Sequence, residues 1–193
     1  RAVMVSQNKQ SFMDDASANH DLFYGVLEAD LSDSTNLFVG LSRGRYRDSD
    51  QTYGLPRYST GEDLKLPRSL FLAGADDYFT QRENSYFATL KQQLGEDWSL
   101  NLDTLYTRLL TQRDYYNFNG AIDPATGSGS NAEWGYQDAR AHERSVDLSL
   151  RGNFTSFGLE HSLVAGWMWH DFDTRTPLYL SLIHISEPTR RRG

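Results

Sequence analysis

Two long stretches of this chain, residues 48–82 and 114–141, concentrate side chains suited to gripping a bulky polar ligand. The first carries Tyr53, Arg57, Tyr58 and Tyr78; the second carries Tyr115, Tyr116, Trp134, Tyr136 and Arg140. Aromatic rings give large contact area at low entropic cost, and a guanidinium pairs bidentately with oxygen acceptors such as carboxylates. That is recognition chemistry rather than bond-making chemistry. Other candidates dissolve on inspection. His20, His142, His161 and His170 lack the i, i+4 or facing-strand spacing of a zinc site. Asp14-Asp15 and Asp76-Asp77 are adjacent pairs, whereas catalytic carboxylates converge across a cleft. Gly127-Ser128-Gly129-Ser130 lacks the lysine and following helix of a phosphate loop, and the sequon Asn153-Phe154-Thr155 falls at a strand end. No catalytic residue, metal site or cofactor is expected.

The elements that must hold those stretches are written in an alternation. From residue 145 to 154, Val146, Leu148, Leu150, Gly152 and Phe154 interleave with Ser145, Asp147, Ser149, Arg151 and Asn153, which is a strand with one oily and one wet face. Similar runs occupy residues 85–94 and 98–106, weaker ones 22–31, 36–46 and 159–172, and residues 2–5 read as the end of another. Short connections at 32–35, 95–97 and 155–158 are rich in Ser, Asp and Gly. The two long stretches far exceed the ~12 to 15 residues that a compact soluble domain tolerates in an unstructured loop. Short turns at one rim and long loops at the other are the habit of outer-membrane barrels, whose tilted strands need about 9 to 11 residues. The predicted fold is all-β, an antiparallel transmembrane β-barrel fragment of about six to seven strands.

On that fold Trp98, Leu100, Leu102 and Tyr106 face lipid while Ser99, Asn101 and Asp103 face the lumen, and Val146, Leu148, Leu150 and Phe154 continue the outer face. Trp98, Phe154, Trp167 and Trp169 suit the aromatic girdles at the headgroups. A soluble sandwich burying the same residues competes on periodicity alone; the loop lengths favour the membrane. Composition is compatible, with 38% hydrophobic residues, 13% aromatics and no cysteine. A net charge of −7 disfavours nucleic acid as a partner. No apolar run is long enough for a transmembrane helix, which a barrel would not show either.

Residues 180–190, Leu-Ser-Leu-Ile-His-Ile-Ser-Glu-Pro-Thr-Arg, resemble the in-frame translation of a transposase adaptor used in sequencing libraries. The expected division is therefore a partial barrel domain over 1–179 and a non-native tail over 180–193, which includes His184 and should form a poorly supported appendage. Without the tail 16 basic residues face 25 acidic ones, for a net charge of −9.

Ser11-Phe12-Met13-Asp14, the run Tyr24-Gly25-Val26-Leu27-Glu28-Ala29-Asp30-Leu31 and Thr35-Asn36-Leu37-Phe38-Val39-Gly40 resemble the early barrel of TonB-dependent ferric-siderophore receptors, closest to the ferripyoverdine and hydroxamate types. Gly54-Leu55-Pro56-Arg57-Tyr58-Ser59 and Asp63-Leu64-Lys65-Leu66-Pro67-Arg68-Ser69 are similar to that family's first long loop region. Ser85-Tyr86-Phe87-Ala88-Thr89-Leu90 and Glu160-His161-Ser162-Leu163-Val164-Ala165-Gly166 resemble strands that follow. The resemblance implies an outer-membrane, multi-pass barrel of about 22 strands filled by a plug. It implies a receptor, not an enzyme, with a ferric siderophore, TonB and outer-membrane lipid as partners, and iron carried only as a siderophore chelate. The plug, the TonB-engaging segment and most of the wall would lie outside these residues. The segment alone should then neither transport nor insert, since its unpaired edges are costly in lipid. It makes Tyr53, Arg57, Tyr58, Tyr78, Tyr115, Tyr116, Trp134 and Tyr136 candidate siderophore contacts, Tyr53 standing where the pattern has Trp. Alternatives are a TonB-dependent receptor for haem, cobalamin or an oligosaccharide, a non-energised porin or outer-membrane barrel enzyme, and a soluble all-β binding module.

Overall fold

The computed structural model describes residues 1–49, 54–72, 74 and 76–183. They build one antiparallel sheet whose strands follow chain order: β1 (Ala2–Gln10), β2 (Ser17–Ser32), β3 (Thr35–Asp48), β4 (Tyr78–Leu94), β5 (Trp98–Asn119), β6 (Asn131–Ser156) and β7 (Leu159–Arg175). A short β8 (Leu178–Ile183) also pairs with β6. Its register continues that of β7, because Arg140 opposes Arg175 and, three residues along both strands, Gln137 opposes Leu178. β7 and β8 are thus one line interrupted at Pro177, whose carbonyl accepts the Asp138 N–H at 3.3 Å. Proline has no N–H to give a ladder, and an outermost strand tolerates that loss. The line crosses residue 180, so the first residues of the adaptor-like stretch are paired rather than loose, with Tyr179 and Leu180 exposed. Residues 184–193 lie outside the described residues.

Among the described residues no second layer covers this sheet. The chain exposes 14207 Å², against roughly 9,300 Å² for a compact water-soluble monomer of 22.0 kDa. Among the described residues the buried apolar ones are Ala16, Ala132 and Ala141, and no described side chain is fully buried. A sandwich core is therefore absent among the described residues.

Directly opposed residues share a face, so the register carries one parity across the whole sheet. Leu148 opposes Leu102 on β5 and Trp167 on β7; Leu102 opposes Leu90 on β4, Leu90 opposes Leu37 on β3, and Leu37 opposes Ala29 on β2. The row beneath it on the other face runs Asp147, Asp103, Thr89, Phe38 and Glu28, with the Thr89 hydroxyl donating to Asp103. One face is a continuous apolar band and the other is mixed, with polar rows around a stack of Tyr24, Phe87 and Phe38, as a barrel wall between lipid and an interior of water and protein requires. The outward places expected for Trp98, Leu100, Leu102, Tyr106, Val146, Leu148, Leu150 and Phe154 all share the parity of Leu148.

At one rim the connections are tight. Phe157 (φ 53°) and Gly158 (φ 74°) join β6 to β7 in the left-handed pair of conformations that a two-residue hairpin demands. Near that rim the Trp98 ring lies over its cross-strand partner Gly152, where a Cβ would come within 2.1 Å of it. At the other rim the expected loop 114–141 is mostly strand. β5 runs to Asn119 and β6 begins at Asn131, leaving only residues 120–130 as the connection. β6 alone has 26 residues, more than twice the about 9 to 11 that span a bilayer. β4 to β6 therefore stand out of the membrane as a blade. Sequence alternation fades in this blade because both of its faces meet water or protein.

Candidate functional site

Extending the parity into the blade sorts the predicted contact residues. Tyr78, Asp114, Tyr136 and Tyr179 oppose one another in a row on the outward face, with Tyr116 and Trp134 opposed one step further out on that face. The Trp134 indole N–H donates to Asp114 Oδ1 at 2.7 Å, and the Tyr136 and Tyr179 rings lie 6.2 Å apart. Burial first, then the nearby Tyr136 and Asp114, hold the Tyr78 phenol above its ordinary pKa, so it stays neutral. Tyr116 packs beside Gly74, where a Cβ would meet its ring at 2.9 Å, and its N–H donates to Asp77 Oδ2 at 3.0 Å. Asp77 is 4% exposed, and its Oδ1 has no hydrogen-bond partner among the described residues. Desolvation raises its carboxyl above the usual range, opposed by its backbone hydrogen bonds. These groups anchor the base of the β3–β4 loop to the blade.

Tyr115 has the opposite parity. It faces inward, its ring over Gly135, where a Cβ would lie 2.4 Å from it. The Arg113 guanidinium sits 4.5 Å above the same ring. Burial works against the Arg113 charge and lowers its pKa, while Tyr115 works for it. Across the register Arg113 opposes Phe79, and Phe79 opposes Asp48. The Phe79 ring meets Tyr46 edge to face at 5.9 Å, and the Tyr46 hydroxyl donates to Asp48 Oδ2 at 2.8 Å. His20 also meets Tyr46 in a T-shaped contact, with ring centroids 6.1 Å apart. The inward side of the mouth is thus, among the described residues, a band of rings with the Arg113 guanidinium set into it. Such a surface can stack on a flat conjugated group and pair an anionic oxygen.

Arg57 and Tyr58 lie on neither face of the blade but in the loop above it. The Arg57 carbonyl accepts the Ile122 N–H at 2.9 Å and the Ile122 carbonyl accepts the Ser59 N–H at 2.8 Å, so the long loop is clipped to the β5–β6 loop. At its other end the Ser69 carbonyl accepts the Asp14 N–H at 2.8 Å, and Arg68 lies 5.3 Å over the Phe12 ring. Tyr53 lies outside the described residues. The predicted contacts therefore do not converge. Four point outward, one inward, and two ride on the loop. Tyr46, Phe79 and Arg113, which sequence reading passed over, join Tyr115 instead. Carrying the alternation of residues 98–106 onward by twos would have found Arg113 and Tyr115. Among the described residues no group of three or more His, Asp or Glu side chains could hold a metal ion.

Fold and surface together define the class: an open section of the antiparallel β-barrel wall of the transmembrane kind. Relatives sharpen this. The chain is 35% identical over 170 residues to the ferric-pyoverdine M114 receptor PbuA of Pseudomonas sp. (strain M114), covering 86% of the chain and 20% of that receptor. It is 33% identical over 180 residues to the ferric-pyoverdine BN7/BN8 receptor of Pseudomonas putida, covering 92% of the chain and 22% of the receptor. Among solved structures, P. aeruginosa FpvA bound to a heterologous pyoverdine superposes with a TM-score of 0.82 at 24% identity, over 92% of the chain and 24% of FpvA. No family model matches the chain. The chain spans about a fifth of the length of the curated relatives it matches. It is similar in sequence to part of these two ferric-pyoverdine receptors and in fold to part of FpvA.

Proposed function

We propose that these residues are part of the wall and mouth of an outer-membrane receptor that captures a ferric siderophore outside the cell and imports it with energy supplied through TonB. The observation that carries this reading is the identity of 35% to a ferric-pyoverdine receptor along nearly the whole strand series. Ferric siderophores are bulky, polar and often anionic chelates, so their receptor needs ring surfaces and hydrogen-bond donors rather than ligands for bare iron. The inward band of Tyr46, Phe79, Arg113 and Tyr115 supplies both, and Arg57 and Tyr58 add a further cation and ring on the long loop clipped to the β5–β6 loop. Iron is cargo here, enclosed by its chelator, and the apolar outer face meets lipid. The proposal is tested with the complete receptor in cells that make no siderophore of their own. TonB-dependent uptake of radioactive iron supplied as a ferric siderophore is the expected result. Tight haem or cobalamin binding with no affinity for any ferric siderophore would overturn it.

A further inference from the structure

Asp14-Asp15 and Asp76-Asp77 are far apart in sequence, yet Asp14, Asp15 and Asp77 line one cavity of about 510 Å³ at the foot of the mouth loops, together with Leu70, Phe71 and Gly74. Backbone contacts build this cavity. The Asp14 N–H donates to the Ser69 carbonyl at 2.8 Å, fixing the β1–β2 connection to the segment that carries Leu70 and Phe71. Ser49 Oγ, on the same wall, accepts the Ser17 N–H at 2.9 Å, and the Asp77 N–H donates to the Gly74 carbonyl at 3.0 Å. Asp77 Oδ2 accepts the Tyr116 N–H at 3.0 Å, which ties that wall to β5.

Asp77 is the anomaly within it. The residue is 4% exposed, and its Oδ1 finds no hydrogen-bond partner among the described residues. Burial, the largest influence, works against its charge; the backbone at Tyr116 and Gly74 works for it, and the nearby Asp114 and Asp76 work against it. A buried charge is tolerated when it is paired, and the ion pairs among the described residues lie elsewhere, on β6 and β7. Asp14 and Asp15, both exposed, add negative potential at the same cavity. The hollow therefore calls for a cation, and the rest of its wall decides the kind. Among the described residues no three carboxyl side chains are placed to hold a metal ion. The volume is many times the roughly 30 Å³ share of one water, which leaves room for an organic group. Leu70 and Phe71 supply apolar wall that a bare ion leaves unused. An ammonium group on a short aliphatic stem uses both surfaces, with N–H donors for the carboxylate and methylenes for the apolar side.

We infer that this cavity binds an organic ammonium ion, with the charged group on Asp77 Oδ1 and the aliphatic stem against Leu70 and Phe71. The site shares no residue with the inward band of Tyr46, Phe79, Arg113 and Tyr115, and it does not rest on the identity of the cargo. It is tested on the complete receptor, purified in neutral detergent, by ligand-observed NMR titration with pentylammonium, with 1-pentanol as the uncharged match and calcium ion as competitor. Pentylammonium should bind at least tenfold more tightly than 1-pentanol, and calcium at equal concentration should leave it bound. Equal affinity for the two organic probes would mean a water-filled hollow only, and displacement by calcium would mean a metal site; either result overturns the inference without any variant. Asp77→Asn, which keeps the shape and removes the charge, should weaken pentylammonium binding at least tenfold, whereas Asp76→Asn, at the exposed neighbour, should change it less than threefold. Undiminished binding in Asp77→Asn, or an equal loss in both variants, would also overturn the assignment.

Discussion

The half of the sheet near the tight turns and the half near the mouth share one register, yet they are stabilised by different surroundings. Between the turns and Tyr106, the outward residues are Leu100, Leu102, Leu148, Leu150 and Trp167, and the inward ones are Ser99, Asn101, Asp103 and Asp147. Above Tyr106 the outward row Tyr78, Asp114 and Tyr136 is as polar and aromatic as the inward row Phe79, Arg113 and Gln137. The lower half is sorted by two solvents, hydrocarbon and water. The upper half has no such division, so its residues are chosen by contacts: the Trp134 indole on Asp114, the Tyr116 N–H on Asp77, Arg113 over Tyr115. An identical change of residue should therefore have different consequences in the two halves.

The largest expected effect breaks the lower half. Leu148→Arg in the complete receptor puts a charge in the middle of the lipid-facing band and should cost about 2 to 4 kcal/mol. Ser149→Arg, one residue along and facing inward, should cost little. The measurement is the yield of folded, heat-modifiable barrel in outer-membrane fractions. Equal yields from the two variants would dismiss the division into a lipid face and a lumen face.

A second expectation sharpens the division within the upper half. Arg113→Ala removes the guanidinium of the inward band, and a hydrogen bond to a charged group is worth about 1.5 to 3 kcal/mol, or roughly ten- to hundredfold in Kd for a ferric siderophore. Tyr136→Ala, on the outward face, should change Kd less than about threefold, the equivalent of roughly 0.6 kcal/mol. Titration by quenching of intrinsic fluorescence reads both. A larger loss at Tyr136 would move the contact surface to the outward face.

The same difference explains what could be read from the sequence. Strands were legible wherever hydrocarbon faced one side, so residues 85–94, 98–106 and 145–154 stand in the structure with the expected parity. Where both sides are wet the alternation has no cause, and residues 114–119 and 131–141 look like loop although they are strand. A strand, unlike a loop, fixes which way each of these side chains points. Tyr115 and Tyr116 are neighbours in sequence and were grouped together, but a strand turns them to opposite faces. Tyr46 and Phe79 were invisible for another reason: their edge-to-face contact joins two strands across the long β3–β4 connection, and no local spacing records it. The continuation of β7 into β8 was also hidden, since Pro177 reads as a strand end and only the shared register with β6 shows that it is not.

The smallest effect separates local from distant control at the two rims. The mouth is tied by contacts between loops, such as Arg57 with Ile122, whereas the β6–β7 turn depends on two residues. One of them, Phe157, is fully exposed at 101% and has a φ of 53°, a conformation that costs a side chain other than glycine or asparagine about 1 kcal/mol. Asparagine tolerates this conformation and, followed by Gly158, makes the most favoured two-residue hairpin turn. Since the Phe157 ring packs against no described residue, Phe157→Asn should stabilise the complete receptor by about 0.5 to 1 kcal/mol, read as a higher urea midpoint with an unchanged slope. Gly158→Ala, at φ 74°, should lower that midpoint by a comparable amount. Both shifts follow if turn chemistry alone governs this rim. A loss of stability in Phe157→Asn would instead mean that the ring is anchored among lipid headgroups, making the tight rim, like the band above it, dependent on the bilayer.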